Sequence, residues 1–224
     1  GGGREGALPR FPLPGGPGLN GGLYDVGTSA KINGTGADNV LFDMPAFAPD
    51  GSKLVFVDHN THALAMYSYA EPGGQPTLSG FTKLVDPVGA PIAFPSVSPD
   101  GKLAVYHHGP LDTRDGQADL WLASATTPGA EVALDALNGK TYPFWQGDRD
   151  RHYNYEPTFA PVAAGGYFWV VFTSRRTYGN KLLAPAQGGC PNVVKQLWIA
   201  AVDITPTPGK DPSYPAFRVP GQSN

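Results

Sequence analysis

Imidazole, carboxylate, guanidinium and indole side chains gather at a few places in this 224-residue chain, and each place admits a definite chemistry. Asp58-His59-Asn60-Thr61-His62 puts two imidazoles and a carboxylate within five residues. His-x-x-His at a strand–loop junction, with a third donor, suits a transition metal, and His59 and His62 are the candidate ligands. The plainer reading, a polar surface hairpin, is preferred. His107-His108 ends an apolar run. Side chains alternate along a strand, so the two rings are expected on opposite faces and not on one metal. Asp148-Arg149-Asp150-Arg151-His152 sets Asp148 and Asp150 two residues apart, the hard oxygen donors that Ca²⁺ takes. Arg149 and Arg151 offset that charge, and an ion-pair loop is the simpler account. Asp112-Thr113-Arg114-Asp115-Gly116 is a second acidic loop with a weaker claim to calcium.

Arg175-Arg176, with Tyr178 and Asn180, opens the longest insertion, 175–195. Adjacent guanidiniums beside an aromatic ring suit bidentate recognition of carboxylate or phosphate groups. They suit equally a brace that holds a long loop through backbone carbonyls. Of the four tryptophans, Trp121, Trp169 and Trp198 lie in strand-like runs and read as core. Trp145, in the loop Tyr142-Pro143-Phe144-Trp145, is the better candidate for stacking on a ligand. Cys190 is the only cysteine, which excludes an intrachain disulfide and a cysteine-based zinc centre. A serine-hydrolase elbow, Gly-x-Ser-x-Gly, is absent from the sequence.

The elements that must position these groups repeat. Pro45-Ala46-Phe47-Ala48-Pro49-Asp50-Gly51 returns 50 residues later as Pro95-Ser96-Val97-Ser98-Pro99-Asp100-Gly101. Pro157-Thr158-Phe159-Ala160-Pro161 is a third copy, with Gly165-Gly166 after it in place of Asp-Gly. Pro215-Ala216-Phe217 reads as the opening of a fourth, on three residues alone. Each copy precedes two apolar runs: Lys53–Val57 and Ala63–Tyr67, Lys102–Tyr106 and Asp119–Ala123, Tyr167–Phe172 and Gln196–Ala200. More polar runs close the first two units, at Phe81–Val85 and Glu131–Leu134. Asp-Gly supplies the positive-φ turn of a tight hairpin. β-branched and aromatic residues suit a pleated, half-buried surface. One small sheet cannot hide both faces, so neighbours must stack.

The expectation is an all-β protein, a β-propeller of four-stranded antiparallel blades with about three and a half blades present, part of a larger propeller. Residues 1–20 form an extended Gly/Pro-rich segment and 21–43 a partial blade, with Gly22–Val26 as its third strand and Asn39–Asp43 as its outer one. Blades then span 44–93, 94–155 and 156–219, the last carrying the insertion 175–195, and 220–224 is a tail. The chain opens on Gly1-Gly2-Gly3-Arg4, which reads as a processed or truncated start that hides any targeting signal, with the missing blades expected before it.

Composition narrows the function. Charged residues are 16% and hydrophobic ones 41%, too apolar for a disordered chain, while Gly 30 and Pro 24 punctuate turns. Net charge is -3 and no basic stripe occurs, so nucleic acid is not the expected partner. No apolar stretch approaches the roughly 20 residues of a membrane-spanning helix.

The Pro-x-Phe/Val-x-Pro-Asp-Gly-x-Lys-Leu element, followed by Leu-Trp strands such as Leu120-Trp121 and Leu197-Trp198, resembles the TolB-type, WD-like propeller repeat over residues 44–203. More narrowly, Asn154–Pro157, Trp169–Asn180 and Leu197–Asp203 resemble secreted or envelope propeller proteins of myxobacteria and related environmental bacteria. The resemblance implies an extracytoplasmic location (periplasm, cell surface or secreted) and carries no catalytic residues to transfer. The expected function is a non-enzymatic binding or scaffold module that presents loops to a protein or glycan partner, or packs on the remaining blades of its own precursor. The alternatives are a structural subunit of a surface assembly and a propeller-scaffolded enzyme, with or without a metal. No cofactor is expected beyond the calcium noted above.

Overall fold

A computed structural model of the chain describes residues 21–110, 116–142, 152–176 and 195–222. A short hairpin, β1 (Leu23–Tyr24) with β2 (Lys31–Ile32), precedes three four-stranded antiparallel sheets. The first sheet runs β3 (Phe42–Phe47), β4 (Lys53–Asp58), β5 (Leu64–Ala70) and β6 (Thr77–Val85) in chain order. The second runs β7 (Ile92–Val97), β8 (Leu103–His108), β9 (Asp119–Ser124) and β10 (Val132–Ala133), followed by one helical turn, α1 (Asp135–Asn138). The third runs β11 (Asn154–Phe159), β12 (Tyr167–Ser174), β13 (Gln196–Asp203) and β14 (Phe217–Arg218). The first strands of successive sheets lie against one another, β3 beside β7 and β7 beside β11, so the sheets fan out from a shared inner edge as propeller blades do.

The turns follow from sequence. Gly51 (φ 70°) and Gly101 (φ 72°) occupy the left-handed position of the first hairpin in each sheet. Beside them Asp50 Oδ1 accepts the Ser52 N–H at 2.9 Å and Asp100 Oδ1 the Lys102 N–H at 3.1 Å. The Ser52 hydroxyl, helped by its own N–H, holds the Asp50 carboxyl below its usual range; at Asp100 burial pushes the other way and is outweighed by the bonds from the Ser98 hydroxyl and the Lys102 N–H. The third hairpin has no Asp-Gly and turns instead through Gly165 (φ 64°) and Gly166 (φ 84°).

Burial is shared between neighbours, as stacking requires. Val55, Val57, Leu64 and Met66 of the first sheet pack on Ile92, Val97, Ala104 and Tyr106 of the second. Val105, Leu120 and Leu122 of the second meet Phe159, Phe168, Phe172 and Trp198 of the third. Leu23 and Ile32 of the hairpin cover Leu54, Phe56 and Tyr67 on the other side of the first sheet.

Two expectations need correction. Phe42-Asp43 does not form the outer strand of a partial blade: it opens the first sheet, with Phe42 opposite Asp58, and Lys31–Ile32 is the strand that pairs with Leu23–Tyr24. Pro215-Ala216-Phe217 does not begin a fourth unit. Phe217 pairs with Ile199, so this segment closes the third sheet. A proline-led triplet suits an edge strand as well as a first strand, because both leave an N–H position unpaired.

Candidate functional site

Each sheet has a turn end, at the Asp-Gly hairpins, and an opposite end where β3, β7 and β11 begin. All five histidines of the chain, with Arg175, Arg176 and Lys195, sit at that opposite end. We call it the histidine rim.

Near this rim the three inner strands share one departure from regular structure. The ladder skips between Asp43 and Ala46, between Ala93 and Ser96, and between Tyr155 and Thr158. Within the skips Met44 (φ 50°), Phe94 (φ 53°) and Glu156 (φ 54°) adopt left-handed backbone, each directly before a proline. Proline has no N–H for the ladder, so a bulge is where it can sit inside a strand. Left-handed backbone at a side-chain-bearing residue costs about 1–3 kcal/mol and persists only where the surroundings enforce it. Here the bulges link neighbouring blades. The Phe94 N–H points to Met44 Sδ at 3.0 Å, and the Glu156 N–H donates to His107 Nδ1 at 3.4 Å. Just beyond, the Phe159 N–H donates to Ser96 Oγ at 3.1 Å.

The bulges converge on a cavity of about 260 Å³ walled by Met44-Pro45, Phe94-Pro95 and Glu156-Pro157-Thr158. Its one carboxylate is balanced: Glu156 Oε1 pairs with Lys195 Nζ at 3.0 Å, and Oε2 accepts from Thr173 Oγ1 at 3.0 Å. Lys195 Nζ also lies 5.0 Å from the centre of the Tyr155 ring. Behind the wall, His107 is fully buried between Phe94 (ring centres 5.0 Å apart) and Tyr155 (6.2 Å). Burial pushes its pKa down to about 4, against the opposing pull of the Glu156 carboxylate, so the imidazole is neutral. With Nδ1 accepting, its proton is on Nε2. A second cleft of about 430 Å³ adjoins through Met44, lined by Asp43, Val57, His62 and the linker residues Pro87 to Ile92. Prolines, Phe and Met beside a neutralised carboxylate suit an extended, mostly apolar segment with a few hydrogen-bonding groups.

The residues singled out from sequence divide sharply. His59 Nδ1 is 3.0 Å from Asp43 Oδ2, while Asp58 caps its own turn by accepting the Asn60 and Thr61 N–H groups at 2.8 and 2.9 Å. His62 lines the second cleft. His59, His62 and Asp58 therefore do not assemble as ligands, and among the described residues no three His, Cys, Asp or Glu side chains gather in a metal-holding arrangement. Arg176 is 3% exposed and engaged internally, so it is not presented to a ligand. Its Nη2 donates to Leu137 O at 2.9 Å and to Asn154 Oδ1, and its Nε donates to Ser174 Oγ at 3.1 Å. The guanidinium lies 4.8 Å from the Trp198 ring centre. Bracing is what this arginine does. Arg175 is half-buried, 5.7 Å from the Tyr155 ring centre. His107 and His108 face opposite sides of β8, as alternation requires. Tyr178, Trp145, Asp148, Asp150, Cys190 and Asp112 lie outside the described residues.

Sequence reasoning passed over the bulges, Glu156 and Lys195. The available signal was a proline at the same place in three strand-like runs.

No family model matches the chain, and no curated protein does. Among solved structures, TolB from Acinetobacter baumannii is 18% identical over 80% of this chain and 32% of its own, with a TM-score of 0.35. A TolB-type protein from Agrobacterium tumefaciens is 20% identical over 78% of this chain and 47% of its own, with a TM-score of 0.40. An ancestral GH74 enzyme is 12% identical over 88% of this chain and 20% of its own, with a TM-score of 0.46. The chain thus spans less than half the length of each of these proteins. The narrower likeness to myxobacterial envelope proteins finds no support in these comparisons. The propeller architecture rests on the chain's own three sheets.

Proposed function

We propose that the chain is a non-enzymatic binding and scaffold module that works outside the cytoplasm and offers its histidine rim to a protein or glycan partner. The observation that carries this reading is the convergence of three strained bulges, each with its left-handed residue just before a proline, on one cavity at that rim. Strain repeated at one place in three blades argues for a built surface. Loops and edges held on a rigid scaffold are where recognition resides. The extracytoplasmic location is supported by the low charge content and the repeat resemblance. Among the described residues no helix is long and apolar enough to cross a membrane.

The test is selection of a displayed peptide library and a glycan array against the full chain. Ligands recovered are expected to lose at least about tenfold in affinity, roughly 1.4 kcal/mol, for Phe94→Ala or Glu156→Lys. Recovered ligands that bind those folded variants as well as the wild type would remove the rim from consideration.

A second reading, assembly with a further sheet, is favoured by one face of the third blade. By register, Leu64, Leu120 and Leu197 are equivalent, as are Met66, Leu122 and Ile199. Leu64 and Leu120 are 0% exposed beneath the next blade, whereas Leu197 is 43% exposed and Phe217, beside Ile199, is 44% exposed. Continuation of the same packing would place another blade there. A solution mass showing a strict monomer of 23.6 kDa at all concentrations counts against pairing between copies.

A further inference from the structure

Alternation along β8 and β9 places Tyr106, His108, Asp119 and Trp121 on the face of the second sheet that looks toward the first. Glu131 joins them, two residues before Ala133, the partner of Trp121. The linker residues Val88, Gly89 and Ala90 roof this face, and His152 closes its side, leaving a cavity of about 350 Å³. That volume lies within the range of small-molecule sites, from roughly 300 Å³ upward. A face between stacked sheets is normally apolar, and this end of it carries two carboxylates. The cavity is separate from the one between the bulges.

The polar groups are partly satisfied among themselves. Glu131 Oε2 accepts the Tyr106 hydroxyl at 2.6 Å and faces His108 Nε2 at 2.7 Å, while His108 Nδ1 is 3.2 Å from Ala90 O. Asp119 Oδ2 is 2.9 Å from His152 Nδ1. Burial opposes ionisation of Glu131, but the bonds from His108 and Tyr106 outweigh it and hold the carboxyl below its usual range. Both bonds fall on Oε2, and Oε1 receives none from the described residues. The Trp121 indole lines the same space, with the His108 ring edge-on to it at 5.0 Å. The described lining includes no lysine or arginine.

We propose that this cavity binds a small organic ammonium ion, its N–H groups donating to Glu131 and its carbon body resting on Trp121. Charge-assisted hydrogen bonds to ionised oxygen are the strong class. Indole is the aromatic face that cations prefer. A bare metal ion is disfavoured because no three ligating side chains gather among the described residues. An ammonium ion brings its own donors and an apolar body, which the mixed lining matches.

Phenethylamine titrated into the full chain and followed by calorimetry tests this. Saturable single-site binding is expected, weakened at least about tenfold by Glu131→Gln, which keeps the shape of the side chain while removing its charge. Trp121→Leu should weaken it similarly. Phenylacetate has the same ring with the opposite charge and should not bind. The proposal is overturned if phenethylamine gives no saturable signal up to about 10 mM, if Glu131→Gln binds it equally, or if phenylacetate binds as well. Should Glu131→Gln fail to fold, Trp121→Leu carries the comparison, and equal binding by that variant overturns the proposal.

Discussion

Replacing Arg176 with alanine distinguishes a brace from a ligand-binding side chain. The guanidinium ties three elements together: Leu137 O at the helical turn after the second blade, Asn154 at the start of β11, and Ser174 at the end of β12. Truncation leaves buried acceptors without this donor, at about 1–3 kcal/mol for each that stays unsatisfied. It also removes a desolvated cation from the Trp198 and Phe172 faces, 4.8 and 5.1 Å away, worth about 2 kcal/mol. Relaxation and entering water recover part of this, so the expected loss is about 4 kcal/mol, a large share of the roughly 5–15 kcal/mol of a whole domain. With a urea m-value of about 2–3 kcal/mol/M, the unfolding midpoint should fall by roughly 1.3–2 M. Urea unfolding followed by tryptophan fluorescence measures it, with the exposed Lys210→Ala as the control at about 1 kcal/mol or less. Arg176→Lys keeps the charge without the planar fork and should fall in between. A loss below about 1 kcal/mol in Arg176→Ala would refute the bracing account.

His107 is held near pH 4 by burial, against 6.5 when exposed, so the unfolded chain binds more protons between those values. Its contribution is complete above about pH 6.5 and is lost as pH falls toward 4, by about 3 kcal/mol. Denaturant midpoints at pH 7 and 4.5 should therefore diverge less in His107→Gln than in the wild type, and an equal divergence would sink the assignment. Asn138 is fully buried, with Oδ1 accepting the Leu120 N–H and Nδ2 donating to Leu120 O, both at 2.9 Å. Asn138→Ala strips both partners from that peptide group and should cost about 2–3 kcal/mol in the same unfolding assay, and a cost below about 0.5 kcal/mol would refute the assignment.

The blades were legible because their signals are local. Asp50-Gly51 and Asp100-Gly101 announce hairpins, and the apolar runs after them are as long as strands. Pro215-Ala216-Phe217 misled for the same reason: three residues carry no register, and only pairing with Ile199 assigns them. The left-handed residues were illegible because steric rules steer the residue before proline toward extended backbone. Contacts between blades overrode that preference at Met44, Phe94 and Glu156. Arg176 could be read either way, since what decides it is Leu137, 39 residues earlier. The facing of Glu131 and His108, 23 residues apart across two strand pairings, likewise belongs to register and not to spacing.

The three bulges also separate shape from identity. One backbone kink is built with a thioether, a phenyl ring and a carboxylate at corresponding places. The fold thus dictates where a side chain enters the shared inner edge while leaving its chemistry open. Three such positions amount to a small alphabet, in which successive blades can be respelled for a new partner without redrawing the strands that hold them.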